Sequence, residues 1–332
     1  MSDKIKFEIS TFTIVKIIFI IAIIYFLFLI KDIITLLFVV IVLTASFRPV
    51  INKWEKRIGR LAAVILFFVL SLAAISAIIY LIIPPVIAQI KQLVIAVPDY
   101  FGKYDFLRQY IPSIKESASS ISNNIGNITG GVFVIASNVF GGFVYFISGA
   151  IMIAYLLLDD KSGHFLLNLV PNDQRDQIYS LTQKVSGKVG DWFRGQLILC
   201  LIIGLLVWIG LVILNVPYAL ALAVFAGVLE MIPTIGPIIS GAVAVIIAVQ
   251  VSPFVALMVV ILFLVFHQLE NSILVPKIMQ KAVGLPPFVV ILAVLIGAQI
   301  LEIPGAILAV PVAASLWVII QELPQIRETF RK

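Results

Sequence analysis

Two stretches in the last third of the chain decide how it is read: Val216-Pro-Tyr-Ala-Leu-Ala-Leu-Ala-Val-Phe-Ala-Gly-Val-Leu-Glu-Met-Ile-Pro-Thr-Ile-Gly-Pro237 and Pro286-Pro-Phe-Val-Val-Ile-Leu-Ala-Val-Leu-Ile-Gly-Ala-Gln-Ile-Leu-Glu-Ile-Pro-Gly-Ala306. Set seventy positions apart, they share Pro217 with Pro287, Leu222 with Leu292, Ala223 with Ala293, Val224 with Val294 and Gly227 with Gly297. One inserted residue then brings Ile232-Pro233 over Ile303-Pro304. Both are apolar runs interrupted by proline and glycine. Backbone groups freed by a broken helix can be satisfied at membrane depth only beside a cavity or inside protein, so paired interruptions point to a transporter's substrate path.

The surroundings place these stretches in a membrane. The chain has 332 residues, 62% of them apolar and only 12% charged, where soluble domains carry about a quarter charged residues. Leu61 to Ile90, Gly130 to Leu158 and Leu197 to Leu229 contain no Asp, Glu, Lys or Arg, and about 20 apolar residues suffice for a helix to cross the hydrocarbon layer. The periods are helical, without the alternation of a barrel wall. The expected fold is all-α: a polytopic α-helical membrane protein with two broken or re-entrant helical hairpins forming a C-terminal inverted repeat.

Charge sets the expected topology. The formal net charge is only +6, but Arg48, Lys53, Lys56, Arg57 and Arg60 crowd one short stretch, a positive-inside signal and not a nucleic-acid patch. That stretch is expected in the cytoplasm, with both chain termini on the same side. Segments 1–83 form the N-terminal spans, the first two roughly Thr13 to Ile30 and Ile33 to Phe47, joined by Lys31 and Asp32. Pro84-Pro85 ends or kinks the third. Segment 84–130 is an extracytoplasmic excursion, amphipathic through Val86, Ile90, Leu93, Val94 and Val97, that lies on its own bundle or meets a neighbouring subunit. Segment 131–158 crosses back. In 159–195, Ile178, Leu181, Val185, Val189 and Trp192 share one helical face, which predicts an amphipathic helix in the cytoplasmic interface. Segment 196–321 is the transport core, with broken hairpins at 216–251 and 285–320, and 322–332 is a cytoplasmic tail.

If Asn215 is outside and Lys277 with Lys281 is inside, the chain between them crosses an odd number of times, and Pro253 to Leu269 supplies one crossing. Segment 216–251 must then return to its own side. Its arms of about fifteen residues reach about 22 Å against a core of about 30 Å, which favours a re-entrant hairpin with its tip at Pro233 to Pro237. Segment 285–320, broken at Glu302 to Gly305, is either a second such hairpin or two full spans. One span separates the units, so they enter from opposite faces.

Between Leu197 and Ile320 the only acidic residues are Glu230, Glu270 and Glu302, and a carboxylate at membrane depth costs several kcal/mol unless paired or wetted. Glu230 and Glu302 precede the breaks marked by Pro233, Gly236, Pro237, Pro304 and Gly305. Each can line a substrate or ion path, with Thr234, Gln268, Asn271 and Gln299 as neutral ligands, or else cap a helix end or snorkel to the headgroups. Glu270 can pair with Lys277 or Lys281 as a plain salt bridge. His267, at the same span end, reads as structural, and His164 carries no assignment. Cys200 is the only cysteine, so no disulfide framework or thiolate metal cluster is expected. No phosphate loop, H-E-x-x-H or G-x-S-x-G sequence occurs, so neither an enzyme nor a cofactor or metal is expected.

At Phe193-Arg194-Gly195-Gln196, Val216-Pro217, Ile232 to Pro237, Glu270-Asn271 through Pro276, and the tail from Ala282 to Ala314, the chain resembles the autoinducer-2 exporter family of bacterial permeases. The resemblance covers nearly the whole chain and rests on the order of motifs. It implies a multi-pass inner-membrane permease, a homo-oligomer in the lipid bilayer. Some members are associated with export of the quorum-sensing furanone and others with sodium or lithium exchange for protons. Carried over by position, the motif residues are Arg194, Gly195, Gln196, Pro233, Gly236, Pro237, Glu270, Asn271, Pro276, Gly305 and Pro311. The expected function is a secondary transporter moving a small hydrophilic solute by alternating access. The alternatives are a monovalent cation/proton antiporter and a non-transporting membrane scaffold.

Overall fold

The computed structural model describes residues 11–102, 140–159, 175–279 and 284–329. Most of the outer excursion, the segment 160–174 with His164, Lys281, and the tail residues Arg331 and Lys332 lie outside them. Every regular element among the described residues is helical, and five stretches are long and apolar enough to cross a membrane by length and composition. The protein is an all-α polytopic membrane protein.

Helix α1 (Thr11–Leu29) leads through Ile30 directly into α2 (Lys31–Ile58), with Ile30 N bonded to Phe26 O at 3.1 Å and Ile34 N to Ile30 O at 3.0 Å, so Lys31 and Asp32 begin the second helix instead of forming the expected tight hairpin loop. Helix α2 does not stop at Phe47. It carries the basic stretch as helix, with Pro49 inside it, and only Gly59, at φ +79°, turns the chain into α3 (Arg60–Ala77). The proline is tolerated because the carbonyls before it find other company: Ser46 O accepts from Arg194 Nη1 at 2.5 Å, and Gly190 sits against Ala45 O, where a Cβ would come within 2.6 Å.

Pro84-Pro85 kinks the chain without ending it. A wide π-turn, Ile78–Ile82, precedes α4 (Ile83–Gly102), absorbing the lost amides and the ring clash. Helix α5 (Phe140–Leu158) ends where two basic side chains collect its last carbonyls: Arg48 Nη2 donates to Leu156 O at 3.3 Å and Arg60 Nε to Leu157 O at 2.7 Å, a favourable placement for cations at a helix C-terminus.

The amphipathic stretch expected to lie by itself in the interface is instead the first half of α6 (Arg175–Ile213), a single helix of 39 residues and about 58 Å. Nothing between Trp192 and Leu197 breaks it. Gly195 is a packing glycine against which Met279 sits, with Sδ 2.8 Å from a Cβ built there. Val189 and Trp192 on its expected apolar face are buried: Trp192 packs with Met279, Val294, Ala306 and Val310, while the neighbouring Gly190 sits against Ala45 of α2.

Two short helices follow, α7 (Ala219–Leu229) and α8 (Ile235–Val249). Their tight turn makes the first broken unit a helical hairpin, held against α6 by a core that includes Ile203, Val207, Leu211, Leu222 and Ala226. Gln89 of α4 accepts the free amide of Ala221 at 2.9 Å, an orphan donor of the first turn of α7. Ser252 caps α9 (Pro253–Leu269) by accepting from Val255 N at 3.1 Å. A second π-turn, Glu270–Leu274, runs into the short α10 (Val275–Ile278), and again a proline, Pro276, lies just beyond it.

Helix α11 (Pro287–Thr329) is broken at Leu301 (φ −131°, ψ 19°) and Glu302 (φ 55°, ψ −133°). In a continuous helix Gly297 and Gly305 would stand about 12 Å apart. Here a Cβ on Gly305 would lie 2.0 Å from Gly297 O, and one on Gly297 would lie 3.1 Å from the Cβ of Ala309. The arms 287–300 and 303–329 therefore run back to back, and the second broken unit is also a hairpin, with Leu301-Glu302 as its tip. Pro304 falls in the first turn of the returning arm, where a missing amide costs nothing.

Candidate functional site

Both tips are built from backbone that ordinary residues avoid. Among the described residues, the positive-φ residues other than glycine are Asn215, Tyr218, Thr234 and Glu302: two at the entrance to the first hairpin and one at each tip. Each such conformation costs about 1–3 kcal/mol, which the surrounding packing must offset. At the first tip that packing is close. A Cβ on Gly227 would lie 2.9 Å from Cys200 O, and one on Gly236 only 2.1 Å from Leu229 O, so glycine is required where the arms cross α6 and each other.

The break leaves the Glu230 carbonyl in the interior, and Gln196, 2% exposed, donates its Nε2 to that oxygen. The Glu230 side chain is 1% exposed and its Oε2 has no donor. Glu270, 7% exposed, lines the same cavity. The two come from elements forty positions apart, and the π-turn that begins at Glu270 turns this side chain inward. As carboxylates both groups only accept, so a direct link between them would need a proton or a cation. His267 Nδ1 lies 3.9 Å from Glu270 Oε2. Its Nε2 lies 3.0 Å from Asn271 Nδ2, which makes Nε2 the acceptor and Nδ1 the protonated nitrogen facing the carboxylate.

These groups line a cavity of about 310 Å³ that also holds Trp192, Pro233, Thr234 and Met279. Its far wall is the base of the second hairpin, through Val290, Ile291 and Val310. A second cavity, of about 790 Å³, lies at the other hairpin's tip, where Gln299, Leu301 and Glu302 face Lys31, Asp32 and Thr35 at the α1–α2 turn and Tyr145 of α5. The helical arm from Ile291 to Ile300 separates the two, about 13 Å of rise. Its inner side is packed solid by Val294, Ala306, Ala309 and Val310.

The expected path residues are thus sorted into three groups. Gln196, Glu230, Thr234, Glu270 and Asn271 meet in the first cavity, while Gln299 and Glu302 belong to the second. Gln268 and Arg194 line neither. Gln268 is exposed and bonds Ser272 Oγ at 2.9 Å, and Arg194 is occupied by Ser46 O and Asp191. The Glu270–Lys277 bridge does not form: Lys277 is exposed while Glu270 is buried among Glu230 and His267. His267, which the sequence reads as structural, lines this cavity beside Glu270. Its spacing to Glu270 and Asn271, three and four residues on one helical face, was the available signal.

Comparison with known proteins agrees with this architecture. "Putative transport protein YueF" of Bacillus subtilis is 28% identical over 287 residues, covering 81% of this chain and 78% of that protein. "Putative transport protein YrrI" of the same organism is 27% identical over 285 residues, covering 80% of each. "Putative transport protein YhhT" of Escherichia coli K12 is 31% identical over 166 residues, 49% of this chain and 46% of that protein. A match to the AI-2E family transporter sequence pattern runs over residues 14–325, through both hairpins and every residue of both cavities, and so the chain belongs to the AI-2E family of membrane transporters.

Proposed function

We propose that this transporter is a secondary permease that moves a small hydrophilic solute, such as the autoinducer-2 signal, by alternating access. One observation carries the reading: the two broken hairpins open onto separate polar cavities at opposite ends of one bundle, with packed apolar side chains between them. A site that faces one side and then the other needs such a pair of vestibules and a seal that can change places. Segment 196–321 is the transport core in this reading. The positive-inside rule puts the Glu230 cavity toward the cytoplasm and the Glu302 cavity outside, in the bacterial inner membrane with both termini inside. The exposed apolar faces of α1 and α3 are open to lipid and to the neighbouring subunits of a homo-oligomer.

A second reading, monovalent cation/proton antiport, is favoured by the two buried carboxyls, Glu230 and Glu270, that line one cavity, since a proton and a cation can alternate between two acceptor groups. Proteoliposomes separate the two. Uptake of labelled furanone that is independent of sodium and falls at least tenfold in Glu230→Gln supports the first reading. A sodium-driven change of internal pH, lost in the same variant, supports the second. Furanone and sodium fluxes indistinguishable from those of protein-free vesicles would defeat both.

A further inference from the structure

The end of α2 carries charge that the fold does not use. Of the basic residues there, Arg48 and Arg60 hold the carbonyls that end α5, and Arg60 also pairs with Glu55 at 3.5 Å. Lys53, Lys56 and Arg57 are exposed, and no ion pair involves them among the described residues. Spaced three and four apart, they share one face of the helix, with Cβ atoms about 5–6 Å from their neighbours, close enough for all three to reach one phosphate. Trp54, half-buried, packs into the cluster of Ile51, Ala63, Val64 and Leu157 and holds this last turn in place.

The chain then reverses at Gly59, and α3 exposes Leu61, Ile65, Val69 and Leu72, each more than half accessible. Their spacing of four, four and three is a single stripe. It rises about 16 Å, which is about one leaflet of a hydrocarbon core near 30 Å. The stripe starts four residues after Arg57, within about 14 Å of it along the chain. A cationic cluster at the membrane surface thus continues into an apolar track of one leaflet's depth.

We infer that Lys53, Lys56 and Arg57 form a binding site for the headgroup of an anionic phospholipid, whose acyl chain runs along Leu61, Ile65, Val69 and Leu72 of α3. The three cations neutralise the phosphate and the stripe replaces lipid contacts of the chain. The site stands apart from both cavities and does not depend on what is transported.

The test uses the full-length protein in vesicles of equal phosphatidylglycerol and phosphatidylcholine, extracted and examined by native mass spectrometry for retained lipid. The expected result is selective retention of phosphatidylglycerol by the wild type, falling about tenfold in the K53Q/K56Q/R57Q variant, since each surface cation contributes a few-fold to anionic lipid affinity. A control, K184Q/K188Q/K277Q, removes the same formal charge elsewhere and should keep the wild-type preference. Should the triple variant fail to fold, Lys56→Glu alone is expected to lower retention severalfold. Equal retention of both lipids by the wild type, unchanged retention in the cluster variants, or equal loss in the control would overturn the assignment.

Discussion

Replacing Gly305 with alanine tests the doubled-back geometry of the second hairpin, because the two possible shapes predict opposite signs. In the folded-back form the new Cβ would lie 2.0 Å from Gly297 O and 2.8 Å from the Leu301 Cβ. Ordinary contact begins about 1.4 Å farther out than the first of these, and the atom in the way is backbone, so the arms must separate. Overpacking of this kind costs about 1–3 kcal/mol. If residues 287–329 formed one straight rod, Gly305 would be an interior helical glycine, and alanine would stabilise it by about 0.5–1 kcal/mol. Gly187 is the internal control: it lies in α6 with nothing within 4 Å of a Cβ, so Gly187→Ala should stabilise by about that amount. The assay is the midpoint of thermal unfolding in detergent, which moves by roughly 2 °C per kcal/mol in a chain this long. The expected outcome is a fall for Gly305→Ala and a small rise for Gly187→Ala. A rise of similar size in both would refute the hairpin and, with it, the separate outer cavity.

Gln196→Leu should destabilise by about 1–3 kcal/mol, since it leaves the buried Glu230 carbonyl without its donor; unchanged denaturant stability would show that water satisfies that oxygen instead. Thr234→Gly should stabilise by about 1 kcal/mol by relieving a β-branched residue at φ +70°, which the same unfolding measurement checks. In a Cys200→Ser background, single cysteines at Ile235 and Ile303 should react with impermeant thiol reagents from opposite sides of sealed vesicles. Equal labelling of both from one side would contradict opposed tips.

Much of the molecule was legible before any coordinates. Proline pairs and glycines mark Pro84-Pro85, Pro233 to Pro237 and Pro304-Gly305 as places where helices bend or stop, because they act on the backbone within one turn of themselves. Charge-free runs mark membrane helices for an equally local reason. The readings that failed were those that required knowing a neighbour. Arg194 looked like a path residue, yet it serves the carbonyl of Ser46, 148 positions away, in the turn before Pro49. The face from Ile178 to Trp192 is apolar as read, but its periodicity alone does not say that Trp192 packs with Met279, Val294 and Val310.

The sequence by itself determined the class: a helical membrane protein whose two related apolar units are interrupted by residues that cannot continue a helix. Tertiary structure alone decided that Glu230 shares a cavity with Glu270 while Glu302 shares another with Lys31 and Asp32, and that the second unit folds back on itself at Leu301. The physical reason is range. Hydrophobic runs, helix breakers and charge bias act through the chain's own neighbours, whereas bringing two buried carboxyls into one cavity depends on which helix faces interlock, and that is settled only when all the helices pack.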